Sequence, residues 1–148
     1  MNEVTTAFVG LDVHKESIAI AVALPGRAAP RFLGTTGPVL AEVEKVLSHC
    51  GTPPQLLIVY EAGPCGYGLA RQLCARGYRC EVIAPTLIPR KPGDRIKTDR
   101  RGALALAHFA RAGDLTPVVG RRRTSAGSPL CVSPIQRRTS LLWSIEQR

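Results

Sequence analysis

The sequence predicts an α/β fold, a mixed sheet flanked by helices, followed by a basic tail with no fold of its own. Three observations predict it. Two apolar runs, Ala7–Leu11 and Leu56–Tyr60, lack polar alternation, which marks strands buried on both faces and therefore central. Each run ends on a carboxylate, Asp12 and Glu61. Helical periodicity then appears around these runs, first between residues 38 and 50 and again beyond residue 98.

Residues 5–12 read as the first strand. His14-Lys15-Glu16-Ser17 is a polar turn. Ile18, Ile20 and Val22 alternate with alanines, a second strand antiparallel to the first. A short third strand is expected around Arg31–Gly34. From Pro38 to Cys50, Leu40, Val43, Val46 and Leu47 recur at helical spacing, and Gly51 closes the helix. After the Leu56–Tyr60 strand, Leu69 and Leu73 mark a short helix ending at Gly77. Residues 79–84 form a further strand, stopped by Pro85. Pro89–Gly93 is a punctuated, basic segment, after which Thr98 caps a helix carrying Ala103, Leu104, Leu106, Ala107 and Ala110. The order β-β-β-α-β-α-β-α describes a meander followed by parallel crossovers. Right-handed crossovers set the Leu56–Tyr60 strand beside the first. That is a ribonuclease-H-like arrangement, and it brings Asp12 and Glu61 together.

At 148 residues, 45% of them apolar, the chain can build a real core. The expected division is one domain over 1–118 and a disordered tail over 119–148, rich in Ser and Arg. No apolar stretch approaches the roughly 20 residues of a membrane span, and Met1-Asn2-Glu3-Val4 does not begin a signal peptide. A cytoplasmic protein with no membrane partner is expected. Cys50, Cys65, Cys74, Cys80 and Cys131 form no Cys-x-x-Cys pair, so they read as thiols in a reducing compartment. Of the formal net charge of +9, the tail holds +5 and residues 1–118 hold +4. A basic chain favours polyanions through counterion release.

The chemistry-bearing candidates are Asp12, Glu61 and Asp99. Singly, Asp12 could be a turn former, Glu61 a surface acid and Asp99 a first-turn acid favoured by the helix dipole. Together, the topology puts all three at one end of the sheet, where open α/β sheets bind ligands. Clustered carboxylates repel unless a cation compensates. Mg2+ or Mn2+ suits such oxygen ligands and could activate a nucleophile on phosphorus. Zinc is disfavoured because only His14 lies near the acids. His14 and Lys15 read as an exposed turn within reach of phosphate.

The segments GLDVHKESIAIAV, YEAGPCGYGLARQL and IPRKPGDRIKTDRRGALALAHFARAGDLTPV resemble the N-terminal domain of the DEDD transposases of bacterial insertion sequences, the IS-one-ten type. The resemblance covers roughly residues 5–118. It implies a RuvC-like fold, Mg2+-dependent recombination of DNA, a structured guide RNA and a second domain bearing a serine nucleophile. It places catalytic and metal-binding roles on Asp12, Glu61 and Asp99. A fourth acid is implied three residues after Asp99, where this chain has Gly102. Gly102→Asp is therefore expected to strengthen metal binding.

No family-like sequence continues past Pro117-Val118, so the chain is expected to be inactive as it stands. The abrupt change in composition suggests a frameshift near residue 118 in a decayed element. Translating the other two reading frames beyond that point should then recover a family-like continuation, and its absence would dismiss the frameshift. Two other readings stay open. One is a non-catalytic nucleic-acid-binding module in which Arg90, Lys91, Arg95, Lys97, Arg100, Arg101 and the tail arginines hold phosphates. The other is an actin-like ATPase, which lacks support because no glycine-rich phosphate loop is present. Joining two DNA ends would make a homo-oligomer useful, although no oligomerisation helix is visible.

Overall fold

The two unalternated apolar runs form adjacent inner strands. A computed structural model describes residues 4–61, 66–84, 88 and 98–117, with residues 66 and 67 described by backbone alone. The strands are β1 (Ala7–Val13), β2 (Ile18–Ala23), β3 (Arg31–Thr36), β4 (Leu56–Glu61) and β5 (Arg79–Ile83). They form one sheet in the order β3-β2-β1-β4-β5. β1 pairs antiparallel with β2 and parallel with β4, and β4 pairs parallel with β5. This is the expected meander with parallel crossovers. The helices are α1 (Leu40–Leu47), α2 (Gly66–Ala75) and α3 (Asp99–Ala112).

Strand alternation sorts the side chains onto two faces. One face carries Ala7, Val9 and Leu11 of β1, Ile18, Ile20 and Val22 of β2, and Leu56, Ile58 and Tyr60 of β4. Against it lie Val43 and Leu47 of α1 and Leu69, Ala70 and Leu73 of α2. This is the larger core, and both helices bury one stripe in it. α2 ends where Gly77 takes φ 90°, with the Tyr78 amide donating to the Leu73 carbonyl.

The opposite face is covered by α3 and is built from smaller residues. Ala19, Ala21 and Ala23 of β2 meet Ala103 and Ala107. Leu57, Val59 and Ile83 meet Leu106 and Ala110. The alanines that alternate along β2 are thus the seat of a helix. A Cβ on Gly10 of β1 would fall 2.6 Å from the Ala107 nitrogen and overlap the Ala103 carbonyl oxygen. The helix backbone therefore rides directly on the strand, a closeness only glycine permits here.

Both ends of α3 follow from local chemistry. Thr98 Oγ1 accepts from the Arg101 amide at 3.2 Å, a cap contributing about 1 kcal/mol. Gly113 takes φ 76° and donates to the Ala110 carbonyl, while Asp114 donates to the Phe109 carbonyl. Cys50, Cys74 and Cys80 are half-buried and form no disulfide among the described residues. Burial pushes the Cys50 thiol above its usual range, with Arg31 opposing weakly. Among the described residues, no helix is long and apolar enough to cross a membrane. The tail over 119–148, Cys65, Cys131, Pro85 and the Pro89–Gly93 segment lie outside the described residues.

Candidate metal centre

Asp12 closes the apolar run of β1 on the face that α3 covers, and it is only 4% exposed. Two residues along, past the strand end, His14 returns to the same face. Its backbone is fixed by the hairpin turn, where the His14 amide donates to the Ser17 carbonyl at 2.9 Å. Asp99 occupies the first turn of α3, where the unpaired amides of the helix start favour a carboxylate. Helix and strand run past each other so that successive turns of α3 meet successive same-face positions of β1. Ala103 and Ala107 lie over Gly10, Gly102 over Asp12, and Asp99 beside His14.

His14 Nε2 lies 2.9 Å from Asp12 Oδ1 and 3.0 Å from Asp99 Oδ1. Ligand atoms of all three residues lie within 4.8 Å of one another. Among the described residues, this is the only set of three or more His, Cys, Asp or Glu side chains gathered so closely. The imidazole bridges two carboxylates, one buried and one half-exposed. Two hard oxygens and one nitrogen are a donor set that fits a divalent cation. Gly102 completes the cradle. A Cβ there would overlap Asp12 Oδ2 and stand 3.1 Å from its Cγ, so position 102 aims at the same carboxylate.

Of the three acids singled out in the sequence, the structure thus draws Asp12 and Asp99 together. Glu61 is not one of the three gathered side chains. Its place follows from register: β1 and β4 pair Leu11 with Tyr60, so one residue further on Asp12 and Glu61 stand side by side at the C-terminal ends of parallel strands. Alternation puts both on the α3 face. His14 is more than an exposed turn residue, because it joins both aspartates. The signal was Asp12-x-His14, a period of two at a strand end.

The basic candidates divide. Arg90, Lys91, Arg95 and Lys97 lie outside the described residues. Arg100 and Arg101 are exposed on the first turn of α3. The Arg100 guanidinium sits 5.3 Å above the Phe32 ring, a cation–π contact fastening α3 to β3. Near the other end of the helix, Arg111 donates to the Leu24 and Ala28 carbonyls, the first at 3.2 Å.

No protein-family model matches the chain. It is 47% identical over 114 residues, 76% of its length, to "Putative transposase y4qE" of Sinorhizobium fredii. It is 35% identical over 106 residues, 71% of its length, to the transposase for insertion sequence element IS1533 of Leptospira borgpetersenii. These alignments span 29% and 31% of the two relatives, so the chain covers about a third of the proteins it matches. In three dimensions it is similar to Thermus thermophilus RuvC, with a TM-score of 0.55 and 14% identity, covering 76% of this chain and 99% of RuvC. The same RuvC in complex with a Holliday junction substrate gives a TM-score of 0.50, again at 14% identity. The chain therefore has a RuvC-like, ribonuclease-H-like fold, and over 70% of its sequence is similar to transposases, one of them that of an insertion sequence.

Proposed function

We propose that residues 1–118 are the RuvC-like domain of an insertion-sequence transposase, working on DNA in the cytoplasm. On this reading Asp12, Glu61 and Asp99 hold Mg2+ or Mn2+. The observation that carries it is the meeting of Asp12 and Asp99 across His14 at the C-terminal end of β1. Similarity to proteins named transposases, and a fold shared with a protein solved in complex with a Holliday junction substrate, support DNA as the partner.

A divalent cation held there would supply polarisation of a phosphate and activation of an attacking water or hydroxyl. The chain's own groups do the rest. Asp12 and Glu61, anchored on inner strands, give rigid positions. Asp99 is set by the capped start of α3, so the α3–sheet packing fixes its distance from Asp12. Arg100 and Arg101, beside Asp99, bring positive charge to the rim where a phosphate backbone would pass. Gly102 contributes no carboxylate, which leaves one oxygen ligand fewer than the transposase pattern. Transposition proper would further require the serine domain, the structured guide RNA and a second copy, none of which residues 1–118 provide. The domain alone is expected to bind DNA and metal without completing strand transfer.

Calorimetric titration of the chain with Mn2+ tests this directly. Asp12→Asn and Asp99→Asn are each expected to weaken binding by at least about tenfold, the scale on which disturbing a ligand's surroundings acts. Unchanged affinity in both variants would remove the metal site. The second reading, a binding module without chemistry, is favoured by the missing acid at Gly102. Salt-dependent binding to branched DNA with no Mn2+ binding that depends on Asp12 and Asp99 would establish it instead.

A further inference from the structure

We infer that His14 is itself a donor to the cation, taking up the coordination that Gly102 does not supply, and that the site therefore prefers Mn2+ to Mg2+. This deepens the reading above and rests on it.

Three features carry the inference. His14 Nε2 is placed between two carboxylate oxygens, 2.9 Å and 3.0 Å away. Two ligands at right angles on an ion with bonds of about 2.1 Å stand about 3 Å apart. The spacing that serves a hydrogen bond in the free protein is thus also the spacing of neighbouring ligands. Second, the imidazole reaches this point from a turn whose backbone is pinned by the His14 amide to Ser17 carbonyl bond. Third, position 102 adds no donor to the cradle. Gly102 faces the Asp12 carboxylate with no side chain of its own. An exchange of oxygen for nitrogen changes which ion is favoured. Mg2+ takes oxygen ligands in a strict octahedron and holds its waters, whereas Mn2+, a larger and softer ion, also accepts an imidazole nitrogen.

The probes are Mn2+ and Mg2+ on the full chain. Pulsed electron paramagnetic resonance of the Mn2+-loaded protein should show a directly bound 14N nucleus, lost in His14→Ala. Competition titration should show Mn2+ preferred over Mg2+, with the preference falling at least about tenfold in His14→Ala. His14→Gln, which offers an amide oxygen instead, should narrow it in the same direction. Unchanged circular dichroism confirms that both variants fold. If Mn2+ binding depends on Asp12 and Asp99 but shows no nitrogen coupling, and both His14 variants keep the preference, the inference is overturned and the proposed function stands. If Mn2+ binding is indifferent to Asp12 and Asp99, both fall together.

Discussion

Gly10→Ala is expected to lower the stability of the domain by about 3 kcal/mol or more, at the upper end of what overpacking costs. A single methyl produces so large an effect because of what it would strike. The new Cβ would overlap the Ala103 carbonyl oxygen and lie 2.6 Å from the Ala107 nitrogen and 3.0 Å from Leu106 Cβ. Two of these are backbone atoms in the middle of a 14-residue helix, and no rotamer change moves them. α3 would have to lift off β1, opening the contacts of Ala103 and Ala107 with the alanines of β2. The same displacement would carry Asp99 away from His14, so weaker Mn2+ binding should accompany the loss of stability. Denaturant unfolding measures the first effect. Gly68→Ala on α2 is the control, because its Cβ meets nothing within 4 Å. It should stabilise by up to about 1 kcal/mol through helix propensity. Equal midpoints for Gly10→Ala and the parent would refute the close seating of α3.

Gly102→Asp is expected to make folding depend on metal. Without a cation the new side chain competes with the Asp12 carboxylate for the same space, and two acids in one place repel. A loss of about 1–3 kcal/mol is expected in chelator, reduced by the gain of up to about 1 kcal/mol from removing a helical glycine. When Mn2+ is added, the extra carboxylate becomes a ligand. An ion at a hundredfold excess over its dissociation constant stabilises the folded state by about 2.7 kcal/mol. The melting temperature of the variant should therefore fall below that of the parent in chelator and rise further than the parent's on titration. Gly102→Ala separates the two causes, since it has the steric conflict without the charge. Its stability shift reports the steric and helix-propensity terms alone, and it should gain no added response to metal. A Gly102→Asp response no larger than that of Gly102→Ala would show that position 102 does not share the site.

Much of the architecture was legible along the chain. The unbroken runs at β1 and β4 marked inner strands, because strands covered on both faces need apolar side chains on both. The glycine closing α2, Gly77, and the threonine opening α3, Thr98, marked helix ends, because unpaired backbone groups must be satisfied nearby. The third strand was read short, to Gly34, whereas β3 runs to Thr36. It is an edge strand with exposed positions, so its hydrophobic signal is weak. α2 begins earlier than its leucines indicate, since its first turn lies ahead of the buried stripe that gives a helix its period.

The candidate site was legible in parts. Asp12 and Glu61 stood out as carboxylates ending apolar runs, and parallel pairing followed from crossover handedness. His14 did not stand out, because a histidine in a polar turn carries no local signal of what it will meet. Its partner Asp99 lies 85 positions away in the chain. Gly10 was likewise silent, as a glycine inside an apolar run does not announce that a helix backbone will lie on it.

The sequence by itself determined which segments become strands and helices, which face of each is apolar, and which acids end inner strands. Those depend on propensity, periodicity and capping within a few residues. Only the tertiary structure decided that His14 joins Asp12 to Asp99 and that a side chain at position 102 would meet the Asp12 carboxylate itself. Those depend on how closely α3 approaches β1, a distance set jointly by Gly10 and the alanines of two separate elements, and such a distance exists only once the chain has packed.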